Sequence, residues 1–146
     1  MKKVLWLLLL GTSLLFAEGI RWESDYNAAV SRAKQLDKPI LFVFSNHACK
    51  WCRHLEATTF KDSKVIAELN EKFVSVMAYG DGGDFVPRAL WAPGTPALWF
   101  LDERGEAMFQ PIQGAVSASD FLQAVNIVLN EYRKRRLNRQ YGNKKP

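Results

Sequence analysis

Two residues, Cys49 and Cys52, are the only cysteines in the chain, and two positions separate them. They follow an apolar run, residues 40–44, that is typical of a strand buried on both faces, and a predicted helix begins at them. The start of a helix offers unpaired N–H groups and the positive end of its dipole, so it stabilises a thiolate there. Such a thiolate attacks disulfides, and a second cysteine nearby can resolve the mixed disulfide. The spacing therefore predicts a redox-active pair with Cys49 as the nucleophile.

Two other interpretations of the cysteines stay open. A purely structural disulfide would close a loop of only four residues, which removes little entropy from the unfolded chain. A metal site could combine both cysteines with His47 and His54, but these four fall within eight positions, and zinc sites usually draw ligand pairs from separated segments. Covalent haem attachment is disfavoured, because it requires a histidine directly after the second cysteine, where Arg53 stands.

The first seventeen residues have the composition of a secretory signal peptide. Residues 1–3 include two lysines, residues 4–16 are almost wholly apolar, and Ala17 is small. The apolar run is shorter than the roughly twenty residues that a membrane-spanning helix needs. We expect cleavage after Ala17 and export to a periplasmic or other disulfide-permissive compartment. Leu15 is large for its place near the cleavage site, so an uncleaved N-terminal anchor is the alternative.

The net charge of +5 belongs to the ends of the chain. Residues 18–132, the predicted domain, contain eleven basic against fifteen acidic residues, whereas residues 133–146 contain seven basic residues and no acid. The charge distribution therefore removes most of the support for a general nucleic-acid-binding surface. The basic C-terminal tail is either a solvated extension or a weak contact with an anionic membrane surface. A hydrophobic content of 48% in 146 residues suits one folded domain and excludes a disordered or collagen-like chain.

Hydrophobic periodicity predicts alternating helices and strands. The predicted strands are residues 40–44, 73–79, 97–101 and 106–112, the last two joined by a hairpin turn at 102–105. The predicted helices are 24–36 with Ser24 as N-cap, 52–60, 62–71, a short helix within 85–91, and one that Ser117 opens and that runs through Tyr132 into the tail. This order predicts an α/β fold in which a central mixed β-sheet has helices on both faces.

Two segments resemble a known family. Residues 49–56 read Cys-Lys-Trp-Cys-Arg-His-Leu-Glu, and residues 94–96 read Gly-Thr-Pro. With them the chain resembles the thioredoxin-fold family, and more narrowly its exported thiol–disulfide oxidoreductases with a Cys-x-Trp-Cys active site, over residues 24–132. The resemblance implies a thioredoxin fold in which Pro96 is cis and lies opposite the cysteines, while the backbone of Thr95 pairs with the substrate.

The resemblance also implies the partners. Substrates would be protein thiols and disulfides, and no cofactor beyond the Cys49–Cys52 disulfide is expected, because the cysteine pair carries the electrons. A reductant outside the cytoplasm would need recharging by a membrane electron-transfer partner.

One departure from thioredoxin concerns proton transfer. Thioredoxin has a buried Asp on the strand before the cysteines, where this chain has Val43. Glu56 is the favoured substitute, because it lies four residues after Cys52 on the same helix face; a solvated or ion-paired Glu is the alternative. His47 could hold the thiolate or act as a base, or it could be an ordinary loop residue.

Tryptophans near the cysteines could form an apolar rim for a substrate peptide. Trp51 lies between the cysteines and is expected to be partly exposed, Trp91 is a second candidate, and Trp99 lies on a predicted strand and suits the core.

We therefore expect an exported thiol–disulfide oxidoreductase that reduces protein disulfides through Cys49 and Cys52. A disulfide oxidase or isomerase of secreted proteins is one alternative, and a non-catalytic, metal-binding thioredoxin-like module is another.

Overall fold

The structure, a computed structural model, describes residues 19–142. The predicted signal peptide, residues 1–17, and the last four residues of the predicted tail lie outside the described residues. Within the described part of the chain, no helix combines the length and the apolar character that crossing a membrane requires.

Between residues 19 and 142 the chain forms five β-strands and four α-helices. The strands are β1 (Trp22–Glu23), β2 (Ile40–Ser45), β3 (Val74–Tyr79), β4 (Ala97–Leu101) and β5 (Ile112–Gln113). The helices are α1 (Tyr26–Leu36), α2 (Lys50–Ala57), α3 (Ser63–Lys72) and α4 (Ala118–Gly142). Short 3₁₀ turns occupy Thr59–Lys61, Gly80–Gly82 and Arg88–Leu90.

The strands form one mixed sheet in the order β1-β3-β2-β4-β5. Strands β1, β3 and β2 are parallel, β4 runs antiparallel to β2, and β5 runs antiparallel to β4. Ser45 of β2 pairs with Tyr79 of β3, so these two parallel strands end side by side. The loops that follow them therefore start from the same edge of the sheet.

Alternate side chains of β2 enter two hydrophobic clusters, one on each face of the sheet. Leu41 and Val43 pack with residues of α2, α3 and α4, whereas Ile40, Phe42 and Phe44 pack with Ala29 and Ala33 of α1. All six residues of β2 are buried, which explains the continuous apolar run in the sequence. Helices thus cover both faces, and the predicted α/β thioredoxin fold is confirmed.

Two helix boundaries differ from the predictions. Asp25, not Ser24, is the N-cap of α1, because its carboxylate accepts the N–H of Ala28 at 2.9 Å. Helix α2 ends at Ala57 rather than near Phe60, and there the Thr58 hydroxyl donates to the carbonyl of His54. Side chains that bond to the backbone in this way compete with the helix.

The predicted strand 106–112 is wrong over most of its length. Only Ile112 and Gln113 form β5, and a single bridge joins Ala107 to Leu101. Pro111 interrupts the segment, and without an N–H it cannot donate to a strand ladder. The predicted turn is present, because Gly105 donates its N–H to the carbonyl of Asp102 at 3.0 Å.

The basic segment from Arg133 continues α4 as far as Gly142. Three of its arginines contact the rest of the domain. Arg136 pairs with Asp37, Arg139 donates to Glu103 at 2.9 Å, and Arg135 donates to the carbonyl of Met108 at 3.1 Å. This part of the predicted tail is packed against the domain.

Candidate active site

The cysteine pair lies where β2 turns into α2. Cys49 is the N-cap of α2, and its sulfur is bonded to that of Cys52, with 5.3 Å between the Cα atoms. The two residues differ in exposure, since Cys52 is 1% exposed and Cys49 is half-buried. In this arrangement the outer sulfur, that of Cys49, is the one that a substrate can reach.

The start of α2 provides the electrostatics that the sequence predicts. The N–H of Cys52 points at the Cys49 sulfur at 3.1 Å, and the N–H of Arg53 donates to the Cys49 carbonyl at 3.2 Å. No acidic residue occupies the first turn of the helix. A negative charge on the Cys49 sulfur would therefore face a donor N–H and the positive end of the helix dipole.

The segment before β4 forms the wall opposite the cysteines. The Thr95–Pro96 peptide bond is cis, and the Thr95 carbonyl oxygen lies 3.4 Å from the Cys49 sulfur. Pro96 is buried, and Asn46 connects this wall to the loop before Cys49, because its Nδ2 lies 3.5 Å from the Thr95 hydroxyl. The structure thus brings together Cys49, Thr95 and Pro96, although 46 positions separate Cys49 from Thr95.

Glu56 lies one helical turn beyond Cys52 and accepts a hydrogen bond from the Tyr79 hydroxyl at 3.2 Å. Burial and the neighbouring Glu56 carboxylate raise the pKa of Tyr79, so this hydroxyl stays protonated at neutral pH and can donate. Both residues line an open cavity of about 500 Å³, together with Phe60 and Met77. Glu56 is therefore half-buried, it forms no ion pair within residues 19–142, and the cavity gives its carboxylate access to water.

The His47 side chain contacts Asp81 and Tyr79. Its Nδ1 lies 2.9 Å from a carboxylate oxygen of Asp81, and its ring stacks on Tyr79 at 3.9 Å between centroids. The His47 carbonyl oxygen accepts a hydrogen bond from Arg53 at 2.8 Å. Any base function of His47 would use the other ring nitrogen, since Asp81 occupies Nδ1.

The exposure of the tryptophans agrees with the expectations from the sequence. Trp51 is 57% exposed and Trp91 is 62% exposed, whereas Trp99 is buried in the core. Trp91 packs against Phe44, whose backbone pairs with the residue after Pro96. The ammonium group of Lys50 lies 5.5 Å from the centre of the Trp51 ring.

The geometry gives no support to a metal site. Among residues 19–142, no group of three or more histidine, cysteine or acidic side chains is arranged to hold a metal ion. The His47 ring bonds to Asp81, and the His54 ring lies 5.8 Å from the Trp51 ring between centroids.

Sequence reasoning missed Tyr79, Asp81 and the contacts of Asn46. Tyr79 and Asp81 lie beside the loop before Cys49 because β2 and β3 end side by side. Asn46 belongs to that loop, and its side chain contacts the distant Thr95 and Asp81. Asp81 lies in a glycine-rich stretch, residues 80–84, that the sequence identifies only as a loop. The usable signal is the position of Asp81 just after β3, the strand that pairs with the strand preceding the cysteines.

Comparison with known proteins agrees with this geometry. A family model described as a thioredoxin-like domain matches residues 26–129. A curated relative, spermatogenesis-associated protein 20 of Rattus norvegicus, is 34% identical over 58 residues. That match covers 40% of this chain but only 7% of the relative, so it concerns a small part of a much longer protein.

Solved structures share the fold. A thioredoxin from Thermus thermophilus has a TM-score of 0.64 at 22% identity, over 77% of this chain and 88% of its own. A DsbH oxidoreductase has a TM-score of 0.66 at 20% identity, over 84% and 92%. The oxidised C-terminal domain of DsbD from Neisseria meningitidis has a TM-score of 0.55 at 20% identity, over 68% and 89%.

The unequal exposure of the two sulfurs predicts selective alkylation. In the reduced protein, a limiting amount of iodoacetamide should modify Cys49 in preference to Cys52, because Cys49 is accessible and lies at the helix N-terminus. Trypsin cleaves after Lys50 and so separates the two cysteines for mass spectrometry. Equal labelling of both residues would contradict the assigned roles, and the oxidised protein is the unlabelled control.

Proposed function

The chain belongs to the thioredoxin-like domain family, and we propose that it is an exported reductase of protein disulfides. Its class is thiol–disulfide oxidoreductase, with Cys49 and Cys52 as the redox pair. The observation that carries the proposal is the setting of Cys49. Its sulfur caps a helix, receives the N–H of Cys52 and lies 3.4 Å from the Thr95 carbonyl oxygen, while Cys52 is buried beneath.

Reduction proceeds by two exchanges. The Cys49 thiolate attacks one sulfur of the substrate disulfide, a Cys49–substrate disulfide forms, and the other substrate sulfur leaves as a thiolate that takes up a proton. Cys52 then loses its proton and attacks the Cys49 sulfur, which releases the second substrate sulfur as a thiolate that also takes up a proton. The substrate gains two electrons and two protons, and the protein is left with the Cys49–Cys52 disulfide.

Substrate positioning falls to the surface around Cys49. The Thr95 backbone would pair with an extended substrate segment beside Pro96, and the 3.4 Å distance between the Thr95 carbonyl oxygen and the Cys49 sulfur supports this role. Trp51 offers an exposed apolar ring between the two cysteines. A peptide lying across this surface would bring its disulfide to the accessible sulfur of Cys49.

Glu56 is our candidate for accepting the proton of Cys52. Its place four residues after Cys52 puts both side chains on one face of α2. The Tyr79 hydroxyl holds the carboxylate, and the cavity beside it provides a route for the proton to water. His47 is a second candidate base, through its Nε2.

Export and the source of electrons complete the proposal. The lysines and apolar run of residues 1–17 support secretion to a periplasmic compartment. A reductant in that compartment is oxidised from dithiol to disulfide at each turnover, so a membrane electron-transfer partner would reduce the disulfide again. An oxidase would instead need an acceptor for the electrons that it removes from substrates.

The reducing direction is tested by the reduction potential of the Cys49–Cys52 pair. We expect a value near that of thioredoxin, about −270 mV, and a value near about −120 mV would identify a disulfide oxidase instead. Insulin reduction should be abolished in Cys49→Ser, while Cys52→Ser should accumulate the mixed disulfide because nothing resolves it. Insulin reduction that survives in Cys49→Ser, together with metal binding by the wild type, would favour the metal-binding alternative.

The role of Glu56 is tested with Glu56→Gln. We expect resolution of the mixed disulfide at pH 7 to slow about 100-fold, the lower end for general acid–base catalysis, because the amide cannot take the proton. The defect should shrink as the pH rises, since hydroxide then ionises Cys52. Glu68→Gln is the matched control, because Glu68 pairs with Lys72 on α3. Equal rates in the two variants would remove Glu56 from the mechanism.

The basic segment 133–146 is proposed to make a weak contact with anionic membranes. Arg135, Arg136 and Arg139 bond to the domain, so fewer charges are available than the sequence suggests. We expect truncation after Tyr132 to weaken binding to anionic vesicles by roughly 1 kcal/mol for each lost contact and to leave binding to neutral vesicles unchanged. Unaltered binding to anionic vesicles after truncation would refute the contact.

A further inference from the structure

Asp81, in the loop after β3, is bonded to the loop that carries the cysteines. One carboxylate oxygen accepts the His47 N–H at 2.9 Å, and the other accepts the Ala48 N–H at 3.0 Å. In return, the Asp81 N–H donates to the side-chain oxygen of Asn46 at 3.0 Å. Three consecutive residues before Cys49 are therefore held by one aspartate.

At Gly80, the loop after β3 approaches the loop before Cys49 too closely to leave room for a side chain. A Cβ atom at Gly80 would lie 2.9 Å from both Asn46 Oδ1 and the Phe44 ring. The absence of a side chain at position 80 lets the Asp81 backbone reach Asn46. Asn46 in turn accepts the Cys49 N–H on its carbonyl oxygen at 3.1 Å, so the clamp extends to the nucleophile itself.

Asp81 also brings a negative charge close to Cys49. The N–H groups of His47 and Ala48 lower the pKa of the Asp81 carboxyl, so it is an anion at neutral pH. It bonds to the residue directly before Cys49. Other charged or titratable groups surround Asp81. The His47 ring bonds to its carboxylate, and Tyr79 stacks on that ring. Arg53 donates to the His47 carbonyl, and Asp84 accepts the Tyr79 N–H.

A nearby anion opposes formation of the Cys49 thiolate. A disulfide couple is a stronger oxidant when its reduced form is stabilised, as it is by a stable thiolate. Whatever destabilises the thiolate therefore makes the dithiol a stronger reductant. The helix N-terminus favours the thiolate, and Asp81 acts against it.

We propose that Asp81 is a positioning residue that fixes the loop before Cys49, and that its carboxylate keeps the Cys49–Cys52 couple on the reducing side. This deepens the proposed function and rests on it, since it concerns the direction of electron flow at the same pair. The relevant equilibrium transfers two electrons and two protons from dithiothreitol to the protein disulfide, which gives the dithiol form and cyclic oxidised dithiothreitol.

The test compares Asp81→Asn with the wild-type protein in dithiothreitol redox buffers at pH 8, where a thiol of ordinary acidity is partly ionised. We expect the equilibrium constant to shift about threefold to tenfold toward the dithiol, equivalent to about 15–30 mV less negative. In the Cys52→Ala background, ultraviolet absorbance should show the Cys49 thiolate forming at lower pH once Asp81 is replaced.

Asp84→Asn is the matched control. Asp84 belongs to the same loop and also accepts a backbone N–H, that of Tyr79 at 2.8 Å, but it does not bond to residues 46–48. Its replacement should leave the potential unchanged. The difference between wild type and Asp81→Asn should shrink in 1 M salt, where charges are screened within about 3 Å.

Several results would overturn the proposal. They are an unchanged potential in Asp81→Asn, an equal shift in Asp84→Asn, or a shift that salt does not reduce. Should Asp81→Asn fail to fold, Asp81→Ser carries the same test, because its hydroxyl is uncharged and can still accept one N–H. A wild type that does not reduce insulin, while Asp81→Asn still shifts the potential and Asp84→Asn does not, would refute the proposed function and leave the effect of Asp81 on the potential in place.

Discussion

The parallel pairing of β2 with β3 is the constraint on which the site depends. It sets Ser45 beside Tyr79, so the loop that leads to Cys49 and the loop that contains Asp81 leave the sheet together. Burial of the whole of β2 makes this register hard to change, because a slip by one residue would exchange the side chains of the two core clusters. The position of the Cys49 sulfur is thus fixed by the core as much as by the helix that follows.

The site balances opposed electrostatic effects on one sulfur. The N-terminus of α2 and the N–H of Cys52 favour negative charge on Cys49. Asp81 accepts the N–H groups of His47 and Ala48, and in our proposal its carboxylate opposes that negative charge. In this proposal the potential of the pair depends on Asp81 as well as on the four-residue motif, so the motif alone would not set the direction of electron flow.

The features that depend on local spacing could be predicted from the sequence. The cysteine pair, the buried strand before it and the segment at Pro96 are short patterns whose chemistry is evident from residue type. Contacts between distant segments could not be predicted, because Asp81 and His47 are 34 positions apart and meet only through strand pairing. Strand β1 has two residues, too few to show an alternation of apolar and polar side chains. Periodicity alone predicted a longer pairing between β4 and the segment after it, which Pro111 interrupts.

Strand β3 and its loop contain no cysteine, yet they contact both candidate bases. The Tyr79 hydroxyl holds Glu56 on one side, and the Tyr79 ring supports His47 on the other. Asp81, two residues later, fixes the His47 ring nitrogen and the backbone before Cys49. These contacts all come from one short segment. With the roles proposed for Glu56, His47 and Asp81, a change at Tyr79 or Asp81 would alter the redox properties of the pair while the cysteine motif stays intact.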